Sequence, residues 1–319
     1  MLRRILLGLA ALLASAVAAA VIVLLLDKRA INGIAPALPT ADEVLAFDPN
    51  ADLPVKLSWL NTASQPMRRS LVLDPSLDVT PDAPYVMSHP SFVFEWADGR
   101  IFLVDLGMDR AGAEAFGRPF ELLVGAQKIQ PLGSVAERLG DALARVKGVA
   151  FTHEHQDHTE GVADLCRLHP KPIALFQGRL QVEESNFSTR AAQQQIKNAD
   201  CLARRLMDGT RLLALPGFPG LAFFAAGGHT PGSQIFVAHV RSGDAVRTWV
   251  LTGDIVNQID GVRQNVPKPP LYSLLLVPES TVRLDALRRF LAELERDHGV
   301  GLLVSHDQLS LEASGLPEL

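Results

Sequence analysis

At 319 residues the chain can bury a sizeable core in one or two domains. A net charge of −5 and sparse aromatics exclude a nucleic-acid partner held by bulk electrostatics or by stacked bases. The 48% hydrophobic content against 20% charged fits a globular protein with an added apolar segment.

That segment lies at the N-terminus. Ile5 to Leu26 is almost wholly apolar, with Arg3 and Arg4 ahead and Asp27-Lys28-Arg29 behind. It is long enough to cross a bilayer as a helix. A cleaved signal peptide is the alternative, because Ala14-Ser15-Ala16 and Ala18-Ala19-Ala20 resemble cleavage sites. The apolar run continues past both, through Val21 to Leu26, and favours an uncleaved anchor. No polar face breaks the pattern, so a buried core helix is disfavoured. Basic residues on both sides give the positive-inside rule little contrast. A short apolar segment behind two arginines ordinarily exports the downstream chain, so the remaining residues are expected outside the cytoplasm. Residues 1–29 then form the anchor, and 30–53 a linker punctuated by Pro36, Pro39 and Pro49. Residues 54–319 are expected to form one domain.

Val55–Leu60 alternates and predicts the first strand. Tyr85–Trp96 and Arg100–Val104 predict a hairpin about the Asp98-Gly99 turn, and the second strand ends in Asp105-Leu106-Gly107. Ser134 and Glu137 form a capping-box pattern, and a stripe of Val135, Leu139, Ala142, Leu143 and Val146 predicts a helix stopped by Gly148. The strand Val149–Phe151 then delivers Thr152-His153-Glu154-His155-Gln156-Asp157-His158. A solvated turn explains one or two such residues, not three histidines and an aspartate within six positions. After a buried strand His153 and His155 can point to one side, while Asp157 and His158 turn back toward a second point. That geometry suits two metal ions held by nitrogen and carboxylate.

A helix is expected after His158, with Glu160 and Asp164 solvated on it. From Phe176 to Gly209 the pattern is looser; a helix through Gln193 is expected to run to Met207, and Phe187 is expected to be buried. This stretch either covers the site or packs at its rim. Leu221–Ala226 is a strand feeding Gly227-Gly228-His229-Thr230-Pro231-Gly232-Ser233. Gln234–Val240 and Val246–Leu251 are strands joined at Ser242-Gly243-Asp244, and the second leads to Asp254. Asn257–Ser280 is rich in proline and apolar residues and reads as a packed connector, an apolar wall or a membrane contact being the alternatives. Leu284, Leu287, Leu291 and Leu294 predict a helix over Thr281–His298 that Gly299 stops, before a last strand delivers His306. Cys166 and Cys201 could pair outside the cytoplasm, though spacing alone proves nothing.

Taken together, HxHxDH followed by separate His, Asp and His resembles the signature of the metallo-β-lactamase superfamily, over about Val55 to His306. The resemblance implies an α/β fold, an αββα sandwich. It also implies that His153, His155 and His229 hold one metal, Asp157, His158 and His306 a second, and that Asp254 bridges them. Two zinc ions are the default, with iron or manganese as alternatives. Water activated between the ions would attack the substrate, and Asp157 or Asp254 would relay a proton. Asp105 should brace the ligand loop without touching metal. A bridging aspartate, where some metallo-β-lactamases carry cysteine, resembles the hydrolases of lactones, thioesters and phosphodiesters. The short tail after His306 counts against glyoxalase II-type enzymes, and the lack of a basic arm counts against tRNA 3′-processing nucleases. Gly-His-Thr-Pro-Gly-Ser is most similar to quorum-quenching lactonases. The expectation is a dinuclear hydrolase of a small-molecule ester or lactone. Alternatives are phosphodiester, thioester or β-lactam hydrolysis, a di-iron oxidoreductase, or a non-catalytic metal-binding scaffold, the last disfavoured because all seven ligands are present.

Overall fold

The computed structural model describes the whole chain except Met1, Pro170 and Thr210. Among the described residues twelve strands form two sheets. The first contains β1 (Lys56–Arg68), β2 (Pro84–Glu95), β3 (Ile101–Val104), β4 (Gln130–Pro131), β5 (Val146–Ala150), β6 (Ile173–Gly178) and β7 (Leu202–Met207), in the spatial order β4-β1-β2-β3-β5-β6-β7. The second contains β8 (Leu213–Ala214), β9 (Leu221–Ala225), β10 (Gln234–Ser242), β11 (Ala245–Leu251) and β12 (Gly301–Leu303), in the order β12-β11-β10-β9-β8.

Alternation along the strands explains why the sheets stack. Phe92 and Phe94 on β2, with Phe102 and Val104 on β3, face inward and meet Phe223, Phe236, Trp249 and Leu251 of the other sheet. The intervening Val93, Ile101 and Leu103 face outward, under the helices Val135–Leu139, Val162–Leu168 and Arg190–Lys197. On the other side Val237, Val250 and Leu302 lie under the helix Thr281–His298. That helix buries Leu284, Leu287, Leu291 and Leu294 at spacings of three and four, each stabilising by about 1.5–3 kcal/mol. Gly299 ends it at φ 66°, a left-handed turn that a Cβ would strain. The result is the αββα sandwich.

Several predicted elements differ in detail. β1 extends to Arg68, past an irregularity between Asn61 and Ser64, because β2 supplies a pairing partner along its whole length. The helix opened by Ser134 stops at Leu139, where Gly140 takes φ 52°. Gly148 is not its stop: it lies within β5, where a Cβ would stand 2.6 Å from the Phe102 ring. The helix through Gln193 ends at Lys197, and Leu202–Met207 pairs in parallel with β6 as an edge strand. The Arg110–Val124 helix carried no prediction. Cys166 and Cys201 are disulfide-bonded and tie the Val162–Leu168 helix to the turn before β7.

The N-terminal helix spans Leu2–Asn32 and is apolar and unburied over its membrane-length stretch. Its final turns dock. Ile31 is fully buried, and Asp27 is buried with its carboxylate accepting the Phe187 N–H at 2.9 Å. Lys28 donates to the Glu279 carbonyl. Farther on, Ala41–Leu45 is a helical turn with a Thr40–Glu43 capping box and a buried Val44.

Candidate metal centre

The strands end where the chemistry begins. β5 leads into His153 and His155, and the turn Gln156–Thr159 carries Asp157 and His158. β9 leads into Gly227 and Gly228, both at positive φ, and these place His229. β11 leads to Asp254 and β12 to His306. All seven side chains are buried and meet in one pocket. Donor atoms of His153, His155, His229 and Asp254 lie within 4.8 Å of one another, as do those of His158, Asp254 and His306. The Asp157 carboxylate sits 3.4 Å from His306 Nε2 and 3.8 Å from His158 Nε2. Asp254 therefore belongs to both groups.

The donor set fits divalent metal. His153 Nε2 lies 3.0 Å from His155 Nδ1, which is 3.2 Å from His229 Nε2; His158 Nε2 lies 3.3 Å from His306 Nε2. Burial holds His155 down at about 3, so it is neutral and its ring offers a lone pair. The Asp254 Oδ1 is buried without a hydrogen-bond partner. Nitrogen and carboxylate donors at this density suit a divalent cation.

The other ring nitrogens explain the aim of each ligand. His158 Nδ1–H donates to Asp105 at 2.9 Å. Asp105, itself at φ 61°, also accepts from the Thr152 N–H and hydroxyl at 2.7 and 2.8 Å, so it holds the start of the ligand loop. His306 Nδ1–H donates to the Ser88 carbonyl at 2.7 Å, and the Tyr85 hydroxyl donates to the His306 carbonyl at 2.7 Å. His155 Nε2 meets the Ser188 hydroxyl at 2.8 Å. Each contact fixes a ring while its free nitrogen faces the pocket.

Sequence reading missed three polar side chains here. Glu279 lies 2.6 Å from His229 Nδ1, and Lys268 lies 2.7 Å from Glu279 and donates to the Asp254 carbonyl at 2.7 Å. Burial alone would raise Glu279, but Lys268 and His229 outweigh it and bring it down to about 2. The sequence marks them only as two opposite charges in the largely apolar Val266–Ser280 stretch, with nothing there that ties them to His229. His89, buried in mid-strand on β2, stands 3.4 Å from Asp157, and burial lowers it to about 4. No motif surrounds it in the sequence.

The pocket is a cavity of about 200 Å³. His155, Asp157, Asp254 and His306 line its polar end; Met87, Phe116, Phe120, Leu276 and Val277 line its walls, with Tyr272 and Ser188. The Asn257–Ser280 stretch thus contributes an apolar wall as well as packing, and the Phe176–Gly209 stretch reaches the rim through Ser188. Phe187 is 39% exposed, not the buried aromatic expected, and its N–H bonds the Asp27 carboxylate. Glu160 is half-buried against Gly112 rather than solvated, and burial raises it to about 7.

Comparison with known proteins gives the family. Residues 84–292 match the model of the metallo-beta-lactamase superfamily. Among curated proteins no relative matches. Similar solved structures include an N-acyl homoserine lactone hydrolase with N-hexanoyl-L-homoserine bound at its catalytic metal center. It shares 16% identity at a TM-score of 0.60, over 83% of this chain and 98% of that one. A B. thuringiensis AiiA mutant with N-decanoyl-L-homoserine at its active site gives 16%, 0.59, 83% and 98%. AidC, a dizinc quorum-quenching lactonase, gives 15%, 0.54, 80% and 92%. At these identities the neighbours speak for the fold, while the family model spans more than half of the chain, including six of the seven convergent donors. The chain belongs to the metallo-beta-lactamase superfamily and is a metal-dependent hydrolase.

Proposed function

We propose that the pocket holds two divalent ions, zinc by default, and hydrolyses a lactone or open ester. The observation that carries this reading is the sharing of Asp254 between two histidine groups, with Asp157 beside the second. His153, His155 and His229 would hold one ion and Asp157, His158 and His306 the other, with Asp254 between them. Bound ions supply Lewis acidity toward the carbonyl oxygen and acidify water. Hydrolysis then joins a water oxygen to the acyl carbon, breaks the bond to the leaving oxygen, and delivers a proton to that oxygen. Asp157 and Asp254 are the groups at hand to move it. Tyr272 lines the same cavity, and burial keeps its phenol protonated, so it can donate to the substrate oxygen. The apolar walls exclude bulk water.

Lactone-binding neighbours of the same fold support the substrate class, by analogy. The disulfide supports an oxidising compartment, so we place the domain outside the cytoplasm, on an uncleaved helical anchor. Metal analysis with a screen of lactone, ester, thioester, β-lactam and phosphodiester reporters tests the function. Two zinc ions with lactone or ester turnover is the expected result. Preference for another reporter moves the substrate class, and two redox-active irons would favour an oxidoreductase. Asp254→Ala and His155→Ala should abolish turnover while far-UV circular dichroism stays native.

A further inference from the structure

We propose that the mouth of the metal pocket is held against the bilayer and takes an amphiphile from it, with the cleavable head at the ligands and the hydrocarbon tail along Phe116, Phe120 and Leu123. This rests on the hydrolase and anchor readings above and deepens them by naming a substrate class.

The anchor is seated on the pocket's own loops. Its apolar run ends at Asp27, and Asp27 and Lys28 hydrogen-bond the domain there, with Ile31 buried one turn on. Asp27 holds the Phe187 N–H, one residue from Ser188, which bonds ligand His155 and lines the cavity. Lys28 holds the carbonyl of Glu279, whose side chain fixes ligand His229. One helical turn therefore touches both loops that frame the pocket. Charges that end a spanning helix lie at headgroup depth. Loops bonded to them lie at that depth too.

The surface around the mouth is apolar. Phe187 and Leu276 are exposed on these two loops, Leu271 is 69% exposed beside the second, and Leu123 is 81% exposed at the end of the Arg110–Val124 helix. Scattered exposed leucines are ordinary. These adjoin a single cavity: Leu276 lines it, Phe187 and Leu271 precede the lining residues Ser188 and Tyr272, and Leu123 follows the lining Phe120 by one turn.

The cavity is also too small for a whole amphiphile. A volume of about 200 Å³ is below the range of pockets that swallow whole drug-sized ligands. It admits a head group, and a long tail must leave it. Phe116, Phe120 and Leu123 stand at i, i+4 and i+7, on one helix face, and continue the apolar wall outward to the surface. Each buried methylene of a tail on that track contributes about 0.8 kcal/mol.

The test uses full-length, zinc-loaded protein in phosphatidylcholine vesicles. Bimane is attached at Leu123→Cys, at Leu276→Cys, and at Asp244→Cys in the turn at the opposite end of β11 from Asp254. Doxyl-labelled lipid should quench the first two and spare the third. Equal quenching at all three, or none at Leu123 and Leu276, overturns the proposal without reference to catalysis. Rates are then measured on short-chain and long-chain γ-lactones. The substitution Leu123→Glu should lower the long-to-short ratio of kcat/KM by about tenfold or more. An unchanged ratio overturns the tail path. Turnover of neither lactone overturns the lactone reading, and with it the substrate half of this proposal, while the quenching result still decides where the mouth lies.

Discussion

Asp105 and Glu279 perform one task from two sides of the pocket. Each accepts Nδ1–H from an imidazole, His158 or His229, and so aims its Nε2 inward. Glu279→Gln should weaken metal binding by roughly 10–100-fold, read by competition with a chromophoric chelator. Unchanged affinity would mean that Lys268 and packing alone orient His229. Asp105 was legible only through the family resemblance, which places a carboxylate at a strand end before a glycine turn. Glu279 was not, since 50 residues separate it from its histidine. His239, away from the metal pocket on β10, offers a pH test. Burial lowers it to about 4 from 6.5, so the folded state resists its protonation. Its contribution is intact above pH 6.5 and is lost as pH falls toward 4. Urea unfolding should register a loss of about 2 kcal/mol between pH 7 and 5 from this group, absent in His239→Asn.

Among the elements, Thr281–His298 was readable to the residue, because a leucine stripe and a terminal glycine leave one solution. Leu287→Ala should cost about 2–5 kcal/mol by denaturant titration, since its site is closed on every side. β7 was misread because half of it is exposed: Arg204 and Arg205 face solvent on an edge, where they also deter pairing with another chain. Only its partner β6 makes it a strand. The disulfide before it closes a loop of 35 residues, and reduction should lower stability by about 3–4 kcal/mol. Equal urea midpoints for reduced and oxidised protein would contradict that.

For the molecule as a whole, the N-terminal helix and the domain are joined by more than a tether. Removing residues before Asp27 should give a soluble, folded enzyme. Removing those before Ala30 also deletes the Asp27 and Lys28 contacts, and should lower the melting temperature by the equivalent of about 1–3 kcal/mol. Equal melting temperatures for the two truncations would make the docking incidental. The seven convergent donors, the apolar helix and the layered α/β architecture could all be read from the chain alone. Side chains able to donate to a metal are few in kind, and periodicity records which face is buried. The Glu279–Lys268 pair, His89, the Ser188 contact and the seating of the helix beside the pocket were decided by the tertiary structure. Those depend on which distant segments share a few ångströms of buried space, where an unpaired charge is too costly to stand.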